Sequence, residues 1–235
     1  GMSSGETSGR QNWPAIESNP EVLTNFIQAI GAPPTVAFHD VFGLDEELLA
    51  MIPQPVHAII LLHPGGNDVV RTREESKDES GLFFLWQTPA LGNACGSIAA
   101  IHSLANCEAA KDIKPDSALA AFLAASRGKH PEERGASLQD DEGIRALHSM
   151  VAMQGQTDGN IDQESVNNHF VCFVHANGRV WELDGLKASP IDHGPASPAT
   201  LATDAAAVVK REFIEKRPDS LNFSLLALGP AAADD

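Results

Sequence analysis

The chain has 235 residues, 43% of them hydrophobic and 20% charged, with a formal net charge of −16. That length favours one sizeable core, the acidity argues against a nucleic-acid backbone as partner, and no apolar run reaches the roughly 18 residues of a membrane span. Its three cysteines, an odd number, argue against a disulfide framework and for a reducing compartment, so the cytoplasm is expected, with the nucleus second.

The polar start GMSSGETSGR reads as a flexible segment over 1–10, with no secretory core and with Gly1 as a tag remnant. A single domain is expected over 11–229 and a tail over 230–235. Asn19 and Pro20 read as N-cap and first helical position of PEVLTNFIQAI, which Gly31 ends. TVAFHDVF reads as a strand, DEELLAMI as a short helix stopped by Pro53, and VHAIILL as a buried strand. RTREESKDESG, charged and without periodicity, reads as a solvated loop. LFFLWQ then reads as an interior strand, with Asn93 capping the helix ACGSIAAIHSLA.

Two more helices are predicted, PDSALAAFLAASR and a stretch within LQDDEGIRALHSMVAM, followed by a long exposed loop, QGQTDGNIDQES. HFVCFVH and RVWELD are strand-like runs joined at Asn177-Gly178, the strongest short hairpin signal. A helix opened by Ser197-Pro198 runs through TLATDAAAVVKREFIEK, and LNFSLLAL is the closing strand. About six strands interrupted by helices predict one layered α/β (α+β) domain, a sheet covered by helices.

Cys95 sits where a helix begins, and two readings are open: a small buried apolar residue, or a nucleophile whose thiolate the helix N-terminus favours. Gly96 beside it would let a substrate carbonyl approach the backbone. A two-residue turn at Asn177-Gly178 pairs Ala176 with Arg179, and counting outward sets His169 diagonal to Asp184 on one face. A carboxylate there would fix the imidazole tautomer and support the imidazolium, as a cysteine–histidine pair requires. Cys172 falls on the opposite face with Phe170, Val174, Trp181 and Leu183 and reads as core, as does Cys107. None of His39, His57, His63, His102 and His193 forms a ligand cluster at known metal spacings, so no metal and no other cofactor is expected. Pro64-Gly65-Gly66 lacks the ending of a phosphate loop, and Ser97 lacks a serine-hydrolase elbow.

NACGSIAAIHSLAN, HFVCFVHANGRVWELDG and SPIDHG resemble the site motifs of the ubiquitin carboxyl-terminal hydrolases, papain-like cysteine proteases of a short single-domain type. NWPAIESNPEV, FHDVFGLDEELLAMIPQPVHAIILL and RPDSLNFSLLAL extend the resemblance from Trp13 to Leu228. It implies a mostly antiparallel, helix-flanked sheet with a knotted chain path. It also implies Cys95 as nucleophile, His169 as base and then acid, Asp184 as its orienter and Gln87 as oxyanion donor, with Asn93 and Gly96 as supporting motif positions. Gln87 and Cys95 are eight residues apart, two more than is usual in the family, and Leu186 stands where many relatives have a basic residue.

The implied activity is deubiquitination, hydrolysis of an amide, ester or thioester after ubiquitin's C-terminal glycine. Trp13 and Ile16 would contact ubiquitin, the loop between Met150 and Asn168 would cross the cleft, and ubiquitin-like modifiers are further candidate substrates. A monomer is expected, with no nucleic-acid or membrane partner. The alternatives are a non-catalytic ubiquitin-binding protein of the same fold and a general cysteine protease.

Overall fold

A computed structural model describes residues 13–65, 78, 80–155 and 167–232. The segment expected to be flexible at the start, most of the charged loop after VHAIILL and most of the loop expected to cross the cleft lie outside the described residues.

Helix α1 (Pro20–Ile30) begins as its sequence dictates: the Asn19 carboxamide oxygen accepts the N–H groups of Glu21 (2.9 Å) and Val22 (3.2 Å), and Gly31 ends it at φ 129°. Val22, Leu23, Phe26, Ile27 and Ile30 form its buried stripe, each side chain contributing about 1.5–3 kcal/mol when fully buried. The other helices are α2 (Glu46–Leu49), α3 (Cys95–Ala105), α4 (Ala118–Ala125), α5 (Pro131–Gln139), α6 (Glu142–Gly155) and α7 (Leu201–Val209).

Six strands, β1 (Val36–Asp40), β2 (Ala58–Pro64), β3 (Asn168–Ala176), β4 (Arg179–Leu183), β5 (Ile191–Pro195) and β6 (Ser224–Pro230), form one antiparallel sheet in the order β1-β6-β2-β3-β4-β5. Alternation along the strands makes two cores. Ile60, Phe170, Cys172, Val174 and Leu226 face α1, α3 and α6, whereas Ile59, Leu61, Val171, Phe173 and Ala227 face α7.

Three expectations change. LFFLWQ is not a strand, because its backbone finds partners outside any ladder. SPIDHG, given above only as a motif and not counted as a strand, carries most of the edge strand β5. The tail starts later than residue 230, since Pro230 pairs with Val36 and the Ala231 N–H donates to the Thr35 carbonyl at 2.8 Å.

Candidate active site

Three pieces of chain converge at one end of the sheet: the start of β3, the residues after β4, and the N-terminus of α3 with the segment leading into it. The β3–β4 hairpin has the counted register, Ala176 opposite Arg179 and Cys172 opposite Leu183, turning at Asn177 (φ 53°) and Gly178 (φ 72°). Continued past the ladder, it brings His169 Nε2 within 2.7 Å of Asp184 Oδ1, with the two residues only 4% and 5% exposed. The same oxygen accepts the Leu186 N–H at 2.8 Å, which fixes the carboxylate.

Cys95 opens α3, half-buried, with its side chain near enough to His169 to raise the imidazole. With Nε2 taken by Asp184, Nδ1 is the nitrogen left to face the thiol. Burial pushes the His169 imidazole down, but the hydrogen bonds and negative charge of Asp184 and Cys95 outweigh it and raise it to about 10. Burial likewise opposes ionisation of Asp184, and His169, then the Leu186 N–H, hold it below the usual carboxylate range. The other thiols are different: burial pushes Cys107 up to about 11 and Cys172 up to about 12, the latter despite a 3.2 Å contact with Ser103 Oγ.

Asn93 does not cap α3. The N-cap is Ala94, with no side-chain hydrogen bond, while the exposed Asn93 donates its backbone N–H to the Trp13 carbonyl at 3.3 Å. The first-turn N–H groups beside Cys95 are therefore not taken by a capping side chain. Gly96 is also corrected: it is buried, and a Cβ there would meet the Phe170 ring at 3.3 Å and Ile16 at 3.6 Å. Its missing side chain lets α3 pack on β3 rather than admitting a substrate carbonyl.

Gln87 ends the segment misread as a strand. Phe83 N–H donates to Asn106 Oδ1 (2.7 Å), Leu85 N–H to His102 Nε2 (3.1 Å), Trp86 N–H to the Pro131 carbonyl (3.0 Å) and Gln87 N–H to the Gly185 carbonyl (2.8 Å). Helix α5 clamps this segment: Arg134 Nη1 donates to the Phe84 carbonyl at 2.9 Å, and Gly135 lies so close that a Cβ would be 2.0 Å from the Trp86 carbonyl oxygen. The clamp was missed from sequence, although His130, Pro131 and Glu133 form a capping box with Pro at the helix start.

His63, dismissed above only as a metal ligand, stands opposite His169 in the β2–β3 register, their rings 5.8 Å apart and edge-on. Phe213 packs on its other side at 4.9 Å. Burial, then the charge of His169, push it down to about 4, so a neutral ring backs the catalytic candidate.

Trp13 and Ile16 are 2% and 4% exposed. The Trp13 ring lies 4.7 Å from the His148 ring, whose Nε2 meets the Pro14 carbonyl at 2.7 Å and whose Nδ1 meets Ser97 Oγ at 2.7 Å. Both side chains anchor the segment before α1 in the core instead of offering themselves to a partner. Pro14, Ala15 and Glu17 are the accessible residues of that stretch.

The sequence pattern of ubiquitin carboxyl-terminal hydrolases, family 1, matches residues 13–215, a span that includes the Cys95, His169 and Asp184 cluster. The chain belongs to that family. It is 40% identical to the Drosophila melanogaster ubiquitin carboxyl-terminal hydrolase, with 93% of this chain and 98% of that protein covered. It is 37% identical to ubiquitin carboxyl-terminal hydrolase 3 of Arabidopsis thaliana (95% and 96% covered) and to human isozyme L1 (92% and 98%). Among solved structures, the Trichinella spiralis UCH37 catalytic domain bound to ubiquitin vinyl methyl ester aligns with a TM-score of 0.73 and 26% identity, covering 94% of this chain and 97% of that one. The antiparallel sheet with helices on both faces is thus shared with a ubiquitin carboxyl-terminal hydrolase domain.

Proposed function

We propose that the chain is a thiol-dependent deubiquitinase that hydrolyses the bond after ubiquitin's C-terminal glycine. One observation carries the reading: His169 is bracketed by Cys95 on one side and Asp184, 2.7 Å away, on the other. The family names of the relatives and the ubiquitin-bound state of the Trichinella structures support it.

The Cys95 proton already rests on His169 Nδ1 when sulfur attacks the glycine carbonyl carbon, and Asp184 holds that imidazolium through Nε2–H. The Gln87 carboxamide and the Cys95 backbone N–H receive the oxyanion. As the tetrahedral intermediate collapses to the thioester, His169 gives its proton to the leaving amine, alcohol or thiol. It then takes one from the water that cleaves the thioester, releasing the ubiquitin carboxylate and restoring the sulfur–imidazolium pair. Ubiquitin would rest on the accessible side of Pro14, Ala15 and Glu17, where the exposed Glu17 carboxylate suits a basic surface. Small adducts and short peptide extensions are the substrates in this reading, and ubiquitin-like modifiers a second class. Three free thiols fit a reducing compartment, the cytoplasm or the nucleus.

Hydrolysis of a fluorogenic amide on the ubiquitin C-terminus tests the reading. Turnover by the wild type and its loss in Cys95→Ala are expected. Equal rates in the two proteins would overturn it.

A further inference from the structure

The two extra residues between Gln87 and Cys95 are not a passive bulge. Pro89–Leu91 makes one 3-10 turn, after which the chain reverses across Leu91–Ala94, closed by a 3.2 Å hydrogen bond from the Ala94 N–H to the Leu91 carbonyl. Gly92 lies at φ 54°, ψ −118°, the first central position of a type II′ turn, which an L side chain disfavours. That geometry directs the Gly92 carbonyl back along the chain, where it accepts the Gln87 carboxamide N–H at 2.7 Å. A further anchor holds the exit: the Asn93 N–H donates to the Trp13 carbonyl. Cys95 begins α3 three residues after Gly92.

We propose that the Leu91–Ala94 turn positions the oxyanion site, Gly92 acting through Gln87. One Nε2 hydrogen of Gln87 binds the Gly92 carbonyl, so the carboxamide cannot rotate about its last bond, and the other hydrogen is the donor presented to the oxyanion. Because the same turn leads directly into α3, it also sets the spacing between that donor and the Cys95 backbone N–H. The two donors are thereby fixed relative to one another, and the Gln87 N–H bond to the Gly185 carbonyl ties them to the end of the hairpin that carries Asp184. Gly92 is a positioning residue and touches no substrate. The inference rests on the reading of Gln87 as oxyanion donor.

Replacing Gly92 by Ala takes the turn out of II′ geometry and rotates the peptide whose carbonyl holds Gln87. Steady-state hydrolysis of the ubiquitin amide and alkylation of Cys95 by iodoacetamide, which forms no oxyanion, separate the roles. For Gly92→Ala, kcat should fall about 10- to 10³-fold, within the range of losing one oxyanion donor, with KM and the alkylation rate unchanged. In a Gln87→Ala background the same substitution should cost nothing more. A fall in alkylation together with kcat, an additive loss in the double variant, or an unchanged kcat in Gly92→Ala beside an impaired Gln87→Ala would each overturn the positioning role. An unchanged kcat in Gln87→Ala alone would overturn the oxyanion reading beneath it. A measurement on the wild type needs no variant to fold: one Gln87 side-chain amide proton should be protected from exchange, and equal rapid exchange of both would overturn the proposal.

Discussion

The two halves of the site are held by different means. His169 and Asp184 belong to a hairpin whose register is enforced by every backbone bond of the β3–β4 ladder, and a one-residue slip would turn every side chain to the other face. Gln87 and Cys95 are placed by single contacts, a carbonyl at Gly185, a clamp from α5, a glycine turn and an uncapped helix start. Geometry shared among many bonds is robust, whereas geometry resting on single bonds can be lost with one residue.

The largest effects are expected on the hairpin half, because in the proposed reaction it would hold the charge. Asp184→Ala should lower kcat about 10²- to 10⁴-fold, since removing the carboxylate frees the imidazole tautomer. Asp184→Asn should lose less, because its carbonyl oxygen can still accept from His169 Nε2–H. Equal losses in a fluorogenic assay would mean that the carboxylate's charge matters more than its grip on the ring.

Gly135→Ala tests the other half from outside the site. The added methyl would clash with the Trp86 carbonyl, so overpacking of about 1–3 kcal/mol and a Tm lower by roughly 2–12 °C are expected. kcat should fall through Gln87 while iodoacetamide alkylation of Cys95 holds steady. A parallel loss of both rates would show that the halves are coupled after all.

Acid should weaken the packing on both sides of the site. His63, His102 and His148 are buried neutral, pushed down to about 4, 3 and 4 by burial, whereas the unfolded chain takes up protons near 6.5. Their contribution is complete above about pH 6.5 and is lost as pH falls toward 4, up to about 3 kcal/mol for His148. His169 has the opposite sign: raised to about 10, it stabilises the fold below pH 6.5 and loses that contribution as pH rises through about 10. Denaturation midpoints from pH 4 to 10 should therefore fall at both ends, and His148→Gln should flatten only the acid side.

The smallest contrast concerns caps. Asn19→Ala should cost about 1 kcal/mol, because its side chain holds two N–H groups of α1. Asn93→Ala should stay within about 0.5 kcal/mol, because its side chain caps nothing. Chemical denaturation of the two variants measures both.

The same division explains what could be seen before the structure. The hairpin could be counted residue by residue, and His169 and Asp184 followed from an Asn-Gly turn and a period of two. LFFLWQ carried the apolar signature of a strand, but Asn106, His102, Pro131 and Gly185, distant in sequence, satisfy its backbone, and no local pattern announces that. Strand β5 has an exposed or half-exposed pattern, a register shift and ladder bonds on one side only, so it lacks the alternation that reveals a strand. Helix α5 buries only Pro131, Gly135 and Leu138, too little for a periodic stripe, and its capping box was the readable signal. Asn93 failed because a good cap residue says where a helix could start, while the Gly92 turn decides where this one does.

One feature of the sheet reaches beyond the site. β6, the last strand in sequence, lies between β1 and β2, and β1 pairs with nothing else in the sheet. A nascent chain therefore carries Cys95, His169 and Asp184 well before it can complete the scaffold beneath them. Any ribosomal product ending before Ser224 leaves two open strand edges and is a template for misassembly rather than a working fragment.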